Sequence, residues 1–154
     1  METEPRLALE HLYREEGARM WRAVLLMTGN REVADDAVAE AFAQALARAD
    51  AIRLPRAWVW RAAVRISAGQ MRELRRAGGP VPDQAGELPT PTVELLDTLK
   101  GLSRMQRAAV VLHYYAGYPL REAAVILGST APALAVHLRR ARIKLRPVFE
   151  VDDD

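Results

Sequence analysis

Seven arginines, Arg53, Arg56, Arg61, Arg65, Arg72, Arg75 and Arg76, fall within a stretch that holds a single acid, Glu73. Arg61, Arg65, Arg72 and Arg76 follow one another at steps of four, seven and four, so on a helix they line one stripe. Trp58 and Trp60 stand at its start. Guanidinium groups track phosphates while indole rings stack on bases, which is the chemistry of a surface for a single or melted nucleic-acid strand. Tryptophans at these positions also suit a core, and the pattern predicts that one of the two is buried. A surplus of about six positive charges in so short a segment calls for an anionic partner. A second basic cluster, Arg139, Arg140, Arg142, Lys144 and Arg146, suits phosphate contact on a duplex, with His137 beside it as a group able to reach a base edge.

Helices must position both clusters. Leu9, Leu12, Tyr13, Met20, Trp21 and Val24 make one helical stripe that Gly29 ends, and Asn30 caps the next helix. That helix carries Val33, Ala34, Ala37, Val38, Ala41, Phe42, Ala45 and Leu46, with Glu32, Asp35 and Asp36 near the positive end of its dipole. Pro55 opens the arginine-rich third helix. Residues 77–91, AGGPVPDQAGELPTP, hold three glycines and four prolines without an apolar period, which reads as a flexible linker. Beyond it, Thr90-Pro91 opens a helix, and Ser103 with Gln106 forms a capping box for another that carries Ala108, Val111, Leu112 and Tyr115. Two more patterns, through Leu120, Ala123, Ala124 and Leu127 and through Leu134, Leu138, Ala141 and Leu145, meet at Gly128-Ser129-Thr130. A short glycine turn between two such helices is the form of a helix-turn-helix. No alternating strand pattern occurs. The expected fold is all-α: two small helical domains joined by a flexible Gly/Pro linker, the second a helix-turn-helix of winged-helix-like type without strands. The expected boundaries are 1–77, a linker at 78–91, 92–147, and an acidic, frayed tail at 148–154.

Composition narrows the function classes. Half of the 154 residues are apolar, enough for real cores, and the net charge is only +2, so charge distribution matters more than its sum. The absence of cysteine excludes a disulfide scaffold, a thiolate metal site and a catalytic thiol. No run approaches the roughly 18 apolar residues of a membrane span, and the N-terminus is polar and acidic rather than a signal peptide. A cytoplasmic protein without membrane insertion is expected. The three histidines, at 11, 113 and 137, are scattered, and no Glu-x-x-His pair, glycine-rich phosphate loop or nucleophile motif occurs. No catalytic residue, metal or cofactor is therefore expected, and the chain reads as a non-enzyme.

The order of these elements resembles a bacterial RNA polymerase sigma factor of the extracytoplasmic-function (ECF) class of the sigma-70 family, over residues 7–76 and 92–147. Asp35-Asp36-Ala37-Val38-Ala39-Glu40-Ala41-Phe42 is similar to the acidic-apolar segment on the helix that grips the polymerase clamp. The resemblance implies that Asp35, Asp36, Val38, Glu40 and Phe42 bind core RNA polymerase. Pro55-Arg56-Ala57-Trp58-Val59-Trp60-Arg61-Ala62-Ala63 resembles the segment that melts and reads the minus-ten element. That implies promoter DNA as the ligand of Trp58, Trp60, Arg61, Arg65, Arg72 and Arg76. Leu102 to Arg107 and Gly117 to Ala124 look like the entry to the minus-thirty-five domain, and His137-Leu138-Arg139-Arg140-Ala141-Arg142 matches the basic end of its recognition helix. An anti-sigma factor is a further implied partner.

Three departures stand out. Pro132-Ala133-Leu134-Ala135-Val136 replaces the usual Gly-Thr-Val-Lys-Ser run, which removes base-edge donors and leaves contacts such as those to a thymine methyl. Ala39 stands where a glutamine is usual, and Gly69 where an aspartate is usual. Two other readings remain at this stage: a sigma-like adaptor or decoy that binds polymerase or a regulator without reading promoters, and a free helix-turn-helix regulator.

Overall fold

The computed structural model describes residues 3–78 and 88–152, with side chains through residue 147. Helix α1 (Glu4–Thr28) starts at Thr3, whose side chain accepts from the Arg6 amide. It ends where the sequence predicts: Gly29 takes the left-handed conformation (φ 69°) and its N–H donates to the Leu25 carbonyl. Asn30 then caps α2 (Arg31–Ala47), its Oδ1 accepting from the Val33 N–H at 3.1 Å. A 3-10 turn (Ala49–Ala51) leads to α3 (Pro55–Gly78).

The chain divides into two compact units, Met1–Pro82 and Asp83–Asp154. In the first, α1, α2 and α3 pack mutually. Alanines 34, 37, 41 and 45 give α2 a smooth inner face and are fully buried, so the neighbouring helices approach closely. Leu9, Met20, Val24 and Leu25 of α1 and Val59 and Trp60 of α3 are buried in the same three-helix unit. Sealing a side chain of such size stabilises by about 1.5–3 kcal/mol each.

The second unit contains α4 (Thr90–Leu99), α5 (Arg104–Val110), α6 (Leu120–Leu127) and α7 (Ala131–Asp152). The capping box at Ser103 forms in both directions: Ser103 Oγ accepts from the Gln106 N–H, and Gln106 Oε1 accepts from the Ser103 N–H. Lys144 of α7 donates to that same Gln106 oxygen at 2.8 Å. Gly128 ends α6 at φ 66°, and Thr130 Oγ1 accepts from the Ala133 N–H to start α7. Leu96, Leu99, Leu112, Ala123, Leu134, Leu138 and Ala141 form the core.

Three features differ from expectation. The helix after Ser103 does not stay α-helical. Residues Val111–Tyr115 form a π turn, in which the Ala116 N–H reaches back five residues to the Val111 carbonyl. The extra residue turns Ala116 into the core, leaves Tyr115 only half-buried and puts Tyr114 on the surface. Second, α7 continues through Pro147 to Asp152, past the predicted end of the domain; residues 153 and 154 of the predicted tail lie outside the described residues. Third, α3 runs to Gly78, into the predicted linker, whereas α4 opens at Thr90-Pro91 as expected; residues 79–87 of that linker lie outside the described ones. Among the described residues no strand occurs, and the fold is all-α.

Candidate nucleic-acid interface

The stripe on α3 forms as the spacing predicts. Arg61, Arg65, Arg72 and Arg76 are all exposed. No carboxylate pairs with Arg61, Arg65 or Arg72 among the described residues. Arg76 lies 3.3 Å from Glu73, but both side chains are about three-quarters exposed (77% and 74%), so water and salt leave that pair weak. Trp58 is half-buried and stands three residues before Arg61, on the same stripe.

Trp60 does not belong to this surface. It is completely buried, and its Nε1 points at Glu16 Oε2 at 3.5 Å. The same oxygen receives Arg56 Nε at 3.0 Å, so one carboxylate ties α1 to the beginning of α3. The reason is geometric: two residues along a helix turn the side chain through about 200°, so neighbours spaced as Trp58 and Trp60 face opposite ways. Of the proposed stacking pair, only Trp58 is accessible to a base.

The α2 segment also splits by face. Asp35, Asp36 and Glu40 are exposed, whereas Val38 and Phe42 are buried at 5% and 6% exposure. Val38 and Phe42 lie on the alanine-lined inner side, and the Tyr13 ring meets Phe42 edge-on at 5.1 Å. They hold the bundle together and offer no surface to a partner, which corrects their place in the polymerase-contacting set. Asp35 is anchored, its Oδ1 accepting from Trp21 Nε1 at 2.6 Å. Glu40 accepts from Gln44 Nε2 at 3.0 Å. The role of Trp21 was not visible in the sequence, where it reads as one more apolar position of α1.

On the second unit, Leu134, Leu138 and Ala141 bury one side of α7 while Arg139, Arg140 and Arg142 are exposed. Arg142 Nε donates to Tyr114 Oη at 2.6 Å, and its guanidinium carbon lies 5.8 Å from the centre of that ring. The tyrosine thus holds the cation in place without neutralising it. His137 is half-buried and its Nδ1 is sealed without a hydrogen-bond partner among the described residues, so one ring nitrogen is withdrawn from any ligand. In the first two turns of α7 the exposed side chains are Pro132, Ala133, Ala135 and Val136, and none carries a hydrogen-bonding group. Among the described residues no group of three His, Cys, Asp or Glu side chains could hold a metal ion. Among the described residues no helix is long and apolar enough to cross a membrane.

The family model for sigma-70 region 4 matches residues 92–145, which span α4 to α7. Two solved structures share the fold of nearly the whole chain. CnrH in complex with the cytosolic domain of CnrY is 25% identical, with a TM-score of 0.73 over 94% of this chain and 89% of that one. The sigma factor RpoE in complex with the anti-sigma factor NepR from Bartonella quintana is 23% identical, with a TM-score of 0.73 over 93% and 99%. Residues 92–145 are a sigma-70 region 4 domain, and the chain as a whole has the fold of these sigma-factor structures. No curated protein sequence matches it. The region 4 match falls on the helix-turn-helix unit, and the likeness of the first unit rests on the fold it shares with these structures.

Proposed function

We propose that this chain is a sigma factor that divides promoter engagement between its two units. Residues 1–77 dock on core RNA polymerase through the exposed edge of α2, at Asp35, Asp36 and Glu40. The same unit receives the melted minus-ten strand on α3, where Trp58 stacks on a base and Arg61, Arg65, Arg72 and Arg76 follow the phosphates. Residues 92–147 sit on upstream duplex with Arg139, Arg140 and Arg142 at the phosphates and His137 nearest the bases. The observation that carries this reading is the α3 stripe: three exposed guanidiniums with no carboxylate partner among the described residues, next to a half-exposed indole.

The protein acts in the cytoplasm, without catalysis or cofactor, as a specificity subunit. Because CnrH and RpoE are each seen with a bound partner, an anti-sigma factor is the partner expected to hold this chain inactive. A second reading, a sigma-like adaptor, is favoured by one observation only, the apolar start of α7.

Run-off transcription with core polymerase over a promoter library tests the proposal. Promoter-dependent transcripts are expected, with Trp58→Ala reducing them more than Arg139→Ala does, because the exposed side chains in the first two turns of α7 carry no hydrogen-bonding group. A purified chain that neither binds core polymerase nor supports promoter opening would refute the proposal, and promoter-dependent transcription would exclude the adaptor.

A further inference from the structure

The exposed side chains of the first two turns of α7 are Pro132, Ala133, Ala135 and Val136, with Val136 48% exposed and standing opposite the buried Leu134, Leu138 and Ala141. In a helix-turn-helix these are the turns that reach base edges. Here they can neither donate nor accept a hydrogen bond. The surface is not neutral as a whole, because exposed Arg139, Arg140 and Arg142 follow within two further turns and Tyr114 holds Arg142 in place. Such a patch fits a polyanion that presents apolar groups in a groove.

We infer that Val136, with Pro132 and Ala133 beside it, is a specificity-determining residue whose ligand is the thymine 5-methyl group of upstream duplex DNA. The methyl is the apolar group that the major-groove edges of the four bases display, so an apolar helix start discriminates thymine from cytosine and from the purines without any polar contact. The patch would not favour guanine or adenine, whose groove edges carry donors and acceptors that it would desolvate without replacing. Contacts of this kind give weaker discrimination than bidentate hydrogen bonds. They make the upstream element a thymine-rich preference held in place by arginine–phosphate contacts.

The inference rests on the assignment of α7 to upstream duplex, and the two are separable by experiment. Upstream duplexes are selected from a randomised pool by the holoenzyme, then resynthesised with every thymine in the selected element replaced by deoxyuridine, which keeps the base pairing and removes only the methyl. Competition binding should show the deoxyuridine duplex weaker by about fourfold per methyl contacted, the loss of one buried apolar carbon. Val136→Ala should weaken binding of the thymine duplex more than that of the deoxyuridine duplex and so shrink that difference, a selective result that loss of folding could not imitate. Equal binding of the thymine and deoxyuridine duplexes would overturn the inference and leave the duplex assignment standing. No retention of any upstream duplex would overturn both. Equal binding accompanied by weaker holoenzyme assembly in Val136→Ala would assign the patch to a protein contact instead.

Discussion

Substituting the two indoles of α3 separates its two faces. Trp60 is fully buried, and truncation to alanine should cost about 3–5 kcal/mol, a transfer loss plus a cavity loss. In a helical unit of this size each kcal/mol moves the melting temperature by about 4–8 °C, so Trp60→Ala should lower it by tens of degrees or abolish folding. Trp58 is half-buried, and its truncation removes about half of the apolar transfer term, on the order of 1 kcal/mol. If Trp58 stacks on a base of the opened strand, Trp58→Ala should also lose about 1–3 kcal/mol of strand affinity, roughly five- to 150-fold. Trp60→Phe keeps a ring in the core and leaves a smaller void than alanine does, so it should lose less stability and, where folded, bind normally. The assays are a circular-dichroism melt of the free chain and fluorescence anisotropy of a labelled minus-ten strand with the holoenzyme. A folded Trp58→Ala that binds like the parent, or a folded Trp60→Phe that loses binding to the same degree, would refute the division of the faces.

Other substitutions probe the remaining parts. Arg61→Gln and Arg65→Gln should each flatten the dependence of log affinity on log salt by about 0.7 for a single strand, measured by titration at several salt concentrations. Tyr114→Phe keeps the ring under Arg142 and removes its hydrogen bond, so upstream-duplex affinity should fall a few-fold, about 0.5–1.5 kcal/mol, with the salt slope unchanged. Gly69→Ala should stabilise the first unit by up to about 1 kcal/mol, because an added Cβ would meet only Arg72 Nη2 at 4.0 Å; the urea midpoint reads this. Thr130→Ala should destabilise the second unit by about 1 kcal/mol through loss of the α7 cap, read the same way.

Helix ends were legible because their signals are local. Gly29 with Asn30, Ser103 with Gln106, and Gly128 with Thr130 each specify a backbone conformation and a hydrogen bond within three or four residues. The arginine stripe was legible for the same reason, since spacing alone fixes which side chains share a face. Which tryptophan faced inward was not settled locally, because it depends on where α1 and α2 pack. Val38 and Phe42 were assigned with a whole segment, although their spacing from Ala34, Ala41 and Ala45 places them on the buried face. The Arg142–Tyr114 contact was beyond local reading, because it joins residues 28 apart in the sequence.

The cationic groups proposed to meet nucleic acid are arginines but for Lys144, one of only two lysines in the chain, and Lys144 donates to Gln106. Guanidinium stays protonated across any pH a cell experiences, and it is not a substrate for lysine acetylation. The electrostatic grip on the promoter therefore has a fixed setting. Control by covering that surface fits such a charge better than control by lysine acetylation does.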